Sequence, residues 1–245
     1  MRLQRGLLIG WAIGLTALGL LYGAVIPTIP DLVASNPDIA QIIGASPDAE
    51  QALINAFLRY IFLFMAAIST GFAVTSVLRF RSEEESARAE AVLASRVPRS
   101  SWFAATVVVA ALGALALSVS MGLGLAVGYG LGTGEWDQVA AQVGGQLSYL
   151  PGVLVVAAGA LAIVGVWPRW SLLAWGGVAF VFFQVMLGET IRLPDGIDSL
   201  SPFWHLPELP VQAFDPAPVV AELVLAAALV ALGLWGFRRR DVATG

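Results

Sequence analysis

Six stretches of the chain run apolar without the polar interruptions of an amphipathic helix or a half-buried strand. They cover about residues 6–26, 53–78, 102–131, 146–166, 171–188 and 218–237. A strand that spans a membrane needs only about 9–11 residues, and a spanning helix about 17–25. Each run is long enough for a helix and too long for a strand. Separate helices also satisfy their own backbone groups in lipid, which isolated strands cannot do. The pattern predicts an all-α integral membrane protein with six transmembrane helices in a single domain, residues 1–245. A mean hydropathy of +0.81 agrees, because soluble domains carry more charge and less apolar surface. The first run follows Arg2 and Arg5. A signal peptide is its competing reading, but the run exceeds the roughly 7–15 residues of a signal's apolar region and no A-x-A site follows.

The segments between the runs differ in kind. Residues 79–102, RFRSEEESARAEAVLASRVPRSSW, form the one long charged stretch. Ser82 and Glu85 have capping-box spacing, which predicts a short helix starting there. Glu84 and Arg88 stand four apart in the favourable order for an ion pair. Ala89, Val92, Leu93 and Val97 share one face, and Pro98 stops the helix. This helix is either a solvated connector or a docking element on which a cytoplasmic partner pushes.

Residues 27–52 carry Asp31, Asp38, Asp48 and Glu50 with no basic residue, which marks an outer loop with a short surface helix after Pro47. Residues 189–217 interleave Pro194, Pro202, Pro207, Pro210 and Pro216 with Leu200, Phe203, Trp204, Leu206 and Leu209. That is too apolar for a solvated loop and too rich in proline for a spanning helix. Short broken helices dipping into the outer leaflet satisfy both facts, provided other helices shield their backbone. They form either an outer gate, with Ser201, Pro202, Phe203, His205 and Pro207 as candidates, or interfacial packing that closes the fold.

Smaller signals fill in the rest. Pro151 predicts a kink or a first turn in span four. Trp167-Pro168-Arg169-Trp170 predicts a tight inner turn with interface aromatics. Gly10-x-x-x-Gly14, Gly19-x-x-x-Gly23 and Gly124-x-x-x-Gly128 would each let another helix approach closely. These faces on spans one and three are candidates for packing against a second six-span unit.

Charge fixes orientation. With the amino terminus inside, Arg2, Arg5, Arg79, Arg81, Arg88, Arg96, Arg99, Arg169, Arg238, Arg239 and Arg240 are all cytoplasmic, and only Arg59 and Arg192 fall outside. The positive-inside rule selects this arrangement, with both termini cytoplasmic. Arg59 precedes Arg79 by twenty residues and Glu222 precedes Arg238 by sixteen. At about 1.5 Å per residue they stand roughly 30 and 24 Å above the inner boundary, near the outer leaflet's surface. They pair, line an outer cavity, or snorkel independently.

The chain has no lysine and no cysteine. A phosphate-binding loop of the GxxxxGK[ST] type needs a lysine, so this chain does not carry that ATP site. Thiolate metal sites and disulfides are excluded, and the lone His205 reads as a structural interface residue. No G-x-S-x-G or H-E-x-x-H occurs, so no catalytic, metal or cofactor-binding residue is expected. The net charge of −4 arises mostly in outer loops and gives no reason to expect nucleic acid.

The pattern E-E-x-x-A-R-x-E-x-x-L-A-x-x-V-x-R-x-x-W, Glu83 to Trp102, resembles the cytoplasmic loop of ABC-2 type exporter permeases, above all the polyketide-antibiotic (tetronasin-type) group. That group has a glycine where this chain has Ala87, a change that raises helix propensity. RLQRGLLIGWAIGL, Arg2 to Leu15, resembles the start of the second half of those permeases. SPFWHLPELP, Ser201 to Pro210, and FRRRD, Phe237 to Asp241, resemble that half's closing motifs. Those permeases are about twice this long, with two related halves.

The resemblance implies a cytoplasmic coupling helix with Glu83, Glu84, Arg88, Glu90 and Arg99 facing an ABC ATPase subunit that holds ATP and magnesium. It implies re-entrant outer helices between spans five and six, and a second six-span half or a copy of this chain. It also implies a bacterial cytoplasmic membrane and hydrophobic or amphipathic cargo, polyketide-type antibiotics among it. A non-transporting membrane scaffold that recruits a soluble partner through the same loop is the alternative. An intramembrane enzyme comes last, for want of a catalytic group.

Overall fold

The structure, a computed structural model, describes residues 2–35, 49–85, 99–191, 194–209 and 212–239. Helix α1 (Arg2–Val25) passes through a 3-10 turn (Ile26–Thr28) into α2 (Ile29–Ser35). Helices α3 (Ala49–Glu85) and α4 (Arg99–Thr133) follow, then α5 (Val139–Ser148) and α6 (Leu150–Val166). A 3-10 helix (Pro168–Leu173) leads into α7 (Ala174–Ile191). A short α8 (Asp195–Asp198), a 3-10 turn (Pro202–His205) and α9 (Pro216–Arg239) complete the order. Among the described residues there is no strand.

Among the described residues, six helical stretches are long and apolar enough to cross a membrane: Gly6–Leu32, Gln51–Ser82, Ser100–Thr133, Val139–Val166, Pro168–Gly188 and Pro216–Arg239. They contain the six apolar runs. The fourth begins earlier than its run suggested, because Gln142 and Gln146 depress hydropathy there while the backbone is already helical. α5 and α6 meet at Tyr149, and Pro151 lies in the first turn of α6, where its missing N–H costs no hydrogen bond.

Two local expectations are corrected. Ser82 does not begin a helix: Ser82 to Glu85 complete α3, which at 37 residues extends roughly 55 Å. Capping requires non-helical backbone at the serine, and no glycine or proline breaks the preceding residues. The rest of the expected charged helix, residues 86–98, lies outside the described residues. Nor is there a separate surface helix after Pro47, since Ala49 opens α3 itself.

The chain divides into two compact units. The first comprises Met1–Ala66, Ala116–Tyr149 and Pro207–Phe214. Here α1 and α4 pack through glycine. A Cβ on Gly19 would stand 2.6 Å from the Met121 carbonyl oxygen, and one on Gly23 would collide with that of Leu125. Gly124 and Gly128 answer with the carbonyls of Thr16 and Leu20. The two small-residue motifs expected to receive another unit thus receive each other, and the expectation for those faces is corrected. Gly10 and Gly14 have open space where a Cβ would go.

The second unit comprises Ala67–Leu115, Leu150–Leu206 and Asp215–Gly245. α9 packs along α6, with Gly165 against the Gly233 carbonyl and Gly236 2.9 Å from that of Gly165, measured from an added Cβ. Phe80 anchors an aromatic cluster: its ring lies 4.6 Å from Trp102 and 5.5 Å from Phe237, while Phe103 stands 5.6 Å from Phe237. Val77, Leu161, Val164 and Val178 extend this core. Close backbone contact and edge-to-face rings supply what water would supply to a soluble core, since lipid gives apolar side chains no reason to associate.

Candidate functional site

In the first unit, Arg59 on α3 meets Glu208 in the proline-framed segment. Arg59 Nη1 donates to both carboxylate oxygens, at 3.0 and 3.1 Å. Each side chain is about one-third exposed, 34% and 33%. Glu208 is held in turn: the Gln212 backbone N–H donates to the Glu208 carbonyl at 2.9 Å, and Gln212 Nε2 donates to Glu208 Oε2 at 3.5 Å. Tyr149, fully buried, lies within the electrostatic reach of both partners. A pair this exposed contributes roughly 0–1 kcal/mol, so its consequence is position rather than stability. Pairing with Glu222 was one of three expectations for Arg59; the acid found on it is Glu208.

The same unit encloses a cavity of about 360 Å³. Ile54, Leu58 and Phe62 give it apolar surface, and Asn55, Gln142 and Tyr129 give it polar groups. Glycines make it possible. Gly122 lets α5 lie against α4, and Gly145 leaves room for the Phe62 ring. Gln146 Nε2 donates to the Phe62 carbonyl at 3.4 Å. Gln51 Nε2 donates to Asn55 Oδ1 at 3.0 Å, one turn apart on α3.

In the second unit, Ser201 caps the 3-10 turn by accepting the Phe203 N–H at 3.3 Å. Ser201 and Phe203 are buried, Pro202 is partly so, and Phe203 and Leu206 fill the space that Gly152 leaves on α6. Gln184 Nε2 on α7 donates to the backbone carbonyl and side chain of Asp198, at 3.1 and 3.2 Å, and ties α8 down. His205 is exposed, its Nε2–H donating to the Ser199 carbonyl at 2.9 Å. Glu222 is buried on α9 with His205 as its electrostatic neighbour. Pro207, also buried, belongs to the first unit and precedes Glu208 directly.

Of the charged candidates, Glu83 and Glu84 lie on the last turn of α3 and Arg99 opens α4, their side chains outside what the structure describes. Arg88 and Glu90 lie outside the described residues. Glu208, Gln142, Gln146 and Tyr149 were missed. The one usable signal was an acid between prolines in an otherwise apolar segment; glutamines inside an apolar run gave a second, weaker one. Among the described residues no group of three or more His, Cys, Asp or Glu gathers that could hold a metal.

Residues 1–238 match the family described as the C-terminal domain of the multidrug efflux system permease Rv1217c. The chain is 32% identical over 242 residues to the multidrug efflux system permease protein Rv1217c of Mycobacterium tuberculosis, covering 98% of this chain and 44% of that protein. It therefore spans less than half the length of the curated relative that it matches. A match through nearly every described element, on a chain with six membrane-crossing helices, makes this a multi-pass membrane protein that belongs to the family of the Rv1217c permease C-terminal domain.

Proposed function

We propose that this chain is one six-span permease half of an ATP-driven exporter of the ABC-2 type. Its cargo is hydrophobic or amphipathic, with polyketide-type antibiotics as the first class to try. The observation that carries this reading is the match of residues 1–238 to a multidrug efflux permease domain. The relative's greater length supports a second permease half. A further copy of this chain is the other way to complete the path, with the open Gly10–Gly14 face of α1 as a contact.

ATP and magnesium sit on a separate ATPase subunit, because a chain without lysine does not build a phosphate-binding loop. Arginine placement puts both termini on the cytoplasmic side of a bacterial cytoplasmic membrane. The charged segment after α3 docks the ATPase through Glu83, Glu84, Arg88, Glu90 and Arg99, whose desolvated partners make each charge worth more there than in water. Nucleotide binding then shifts an apolar path between inward-facing and outward-facing states. The short helices from Asp195 to His205 act as re-entrant elements of an outer gate.

Co-purification with a candidate ATPase tests this. Glu84→Arg and Arg88→Glu reach the membrane at normal levels, lose substrate-stimulated ATP hydrolysis and release the ATPase. Normal hydrolysis and retention in both reversals would reduce the loop to a solvated connector.

A further inference from the structure

The turn Trp167-Pro168-Arg169-Trp170 plays no part in the transport reading. It joins two membrane-crossing stretches, Val139–Val166 and Pro168–Gly188, so it lies at a membrane surface, whichever side that is. Pro168 restricts the backbone at its start, and the Trp170 N–H donates to the Trp167 carbonyl at 2.9 Å. Beside it is a cavity of about 400 Å³, within the roughly 300–1,000 Å³ typical of ligand sites. Ile163, Trp167, Trp170 and Leu173 form apolar walls, and Arg169 joins them as a cation. Arg169, Trp167, Trp170 and Leu173 are exposed, so walls and guanidinium are both accessible from outside. α9 ends at the same surface. It runs parallel to α6, because Gly233 packs on Leu161 while Gly236, three residues on, packs on Gly165 and Val166. Arg238 and Arg239 thus follow Gly236 as Trp167 follows Val166. Arg238 is exposed, and Arg239 lies over the Trp235 ring at 4.2 Å.

We propose that this cavity binds an anionic phospholipid of the adjoining leaflet. The phosphate pairs with Arg169, whose planar fork of donors matches phosphate oxygens. The first acyl carbons lie on Ile163 and Leu173, and the two indoles sit at headgroup depth, where tryptophan is at home. Arg238 and Arg239 add positive charge at this end of the unit, which favours a headgroup of net negative charge over a zwitterionic one. Free phosphate would answer Arg169 but leave the apolar walls in water. A carboxylate from the charged segment after α3 would do the same.

Photolabelling of the full chain in phosphatidylcholine nanodiscs, without ATP, decides the matter. The probes are trace phosphatidylglycerol and phosphatidylcholine, each with a diazirine near the top of one acyl chain. Phosphatidylglycerol is expected to label the peptide containing residues 163–173 about fivefold more than phosphatidylcholine does. Arg169→Gln removes that preference, whereas Arg169→Lys, which keeps a phosphate-binding charge, preserves it. Should Arg169→Gln fail to fold, the headgroup preference of the unaltered chain decides alone. Equal labelling by the two lipids, a preference that survives Arg169→Gln, or displacement by excess inorganic phosphate overturns the site. So does a preference that appears only in the triple variant Glu83→Gln, Glu84→Gln, Glu85→Gln, since carboxylates of the chain would then be what holds Arg169. Such results leave the exporter reading standing, and failed export leaves the labelling standing.

Discussion

The two compact units solve the membrane problem with different means. The second is closed by backbone contact and by rings, with glycines of α6 and α9 on one another's carbonyls and a cluster of four aromatics, Phe80, Trp102, Phe103 and Phe237. The first uses glycines too, between α1 and α4, and adds a half-buried ion pair, a buried tyrosine, two buried glutamines and a cavity that one of them, Gln142, lines. Polar interior in lipid is costly and is retained where it does something. The difference is in the kind of polar group: the second unit buries mostly hydroxyls, Ser69, Thr70, Ser76, Thr106 and Ser201, with the acids Asp198 and Glu222, whereas the first buries two amides and holds the ion pair.

The largest effect should come from the packed unit. Phe80→Ala empties the centre of the aromatic cluster and is expected to cost about 3–5 kcal/mol. Denaturant titration of the purified protein reads this, and a loss under about 1 kcal/mol would mean that the rings touch without packing. Next come the glycine contacts. Gly165→Val in the second unit and Gly128→Val in the first each force helix backbones apart, at about 1–3 kcal/mol. Gly10→Val, with nothing within 4 Å, leaves intramolecular stability unchanged. Equal losses at all three positions would show that backbone strain, not helix contact, is being measured.

The charges sharpen the contrast further. Glu222 is a buried acid of the second unit, with Oε2 buried and unpartnered among the described residues. Glu222→Leu is expected to leave stability unchanged or raise it by about 1 kcal/mol, because the acid gains no hydrogen bond for its burial. A loss instead would reveal a partner that the fold supplies only in another state. Smallest of all is the stability effect of Arg59→Leu, within about 1 kcal/mol. Its functional effect should be clear, since it unfastens the segment around Glu208 from α3. Export falls in Arg59→Glu and in Glu208→Arg, and recovers in the double swap. Recovery is the discriminating result, because two unrelated lesions would not cancel.

Much of this fold was legible because a bilayer permits so little else. Six apolar runs could only be helices. Local boundaries were less legible. Ser82 offers a capping side chain, but a cap needs a break before it, and the turn from Arg79 to Arg81 provides none. Partners were the least legible. Gly19, Gly23, Gly124 and Gly128 announced close approach without saying to what, and they found each other. Arg59 announced a need for an acid, but which acid depends on where a proline-framed turn places Glu208, nearly 150 residues later. Gln142 and Gln146 stood in plain view as interruptions of an apolar run, and only burial made them informative.

ATP-driven uptake of a fluorescent amphipathic dye into inside-out membrane vesicles tests the transport reading most directly. Vesicles are prepared from cells carrying the unaltered chain, lacking it, or carrying Glu84→Arg. The unaltered chain should give uptake that requires ATP, with uptake absent from both of the others although Glu84→Arg is present in the membrane at normal levels. Equal ATP-dependent uptake with and without the chain, over a panel of uncharged amphipaths, would contradict an export role and leave a membrane protein whose ion pair and cavity serve something else.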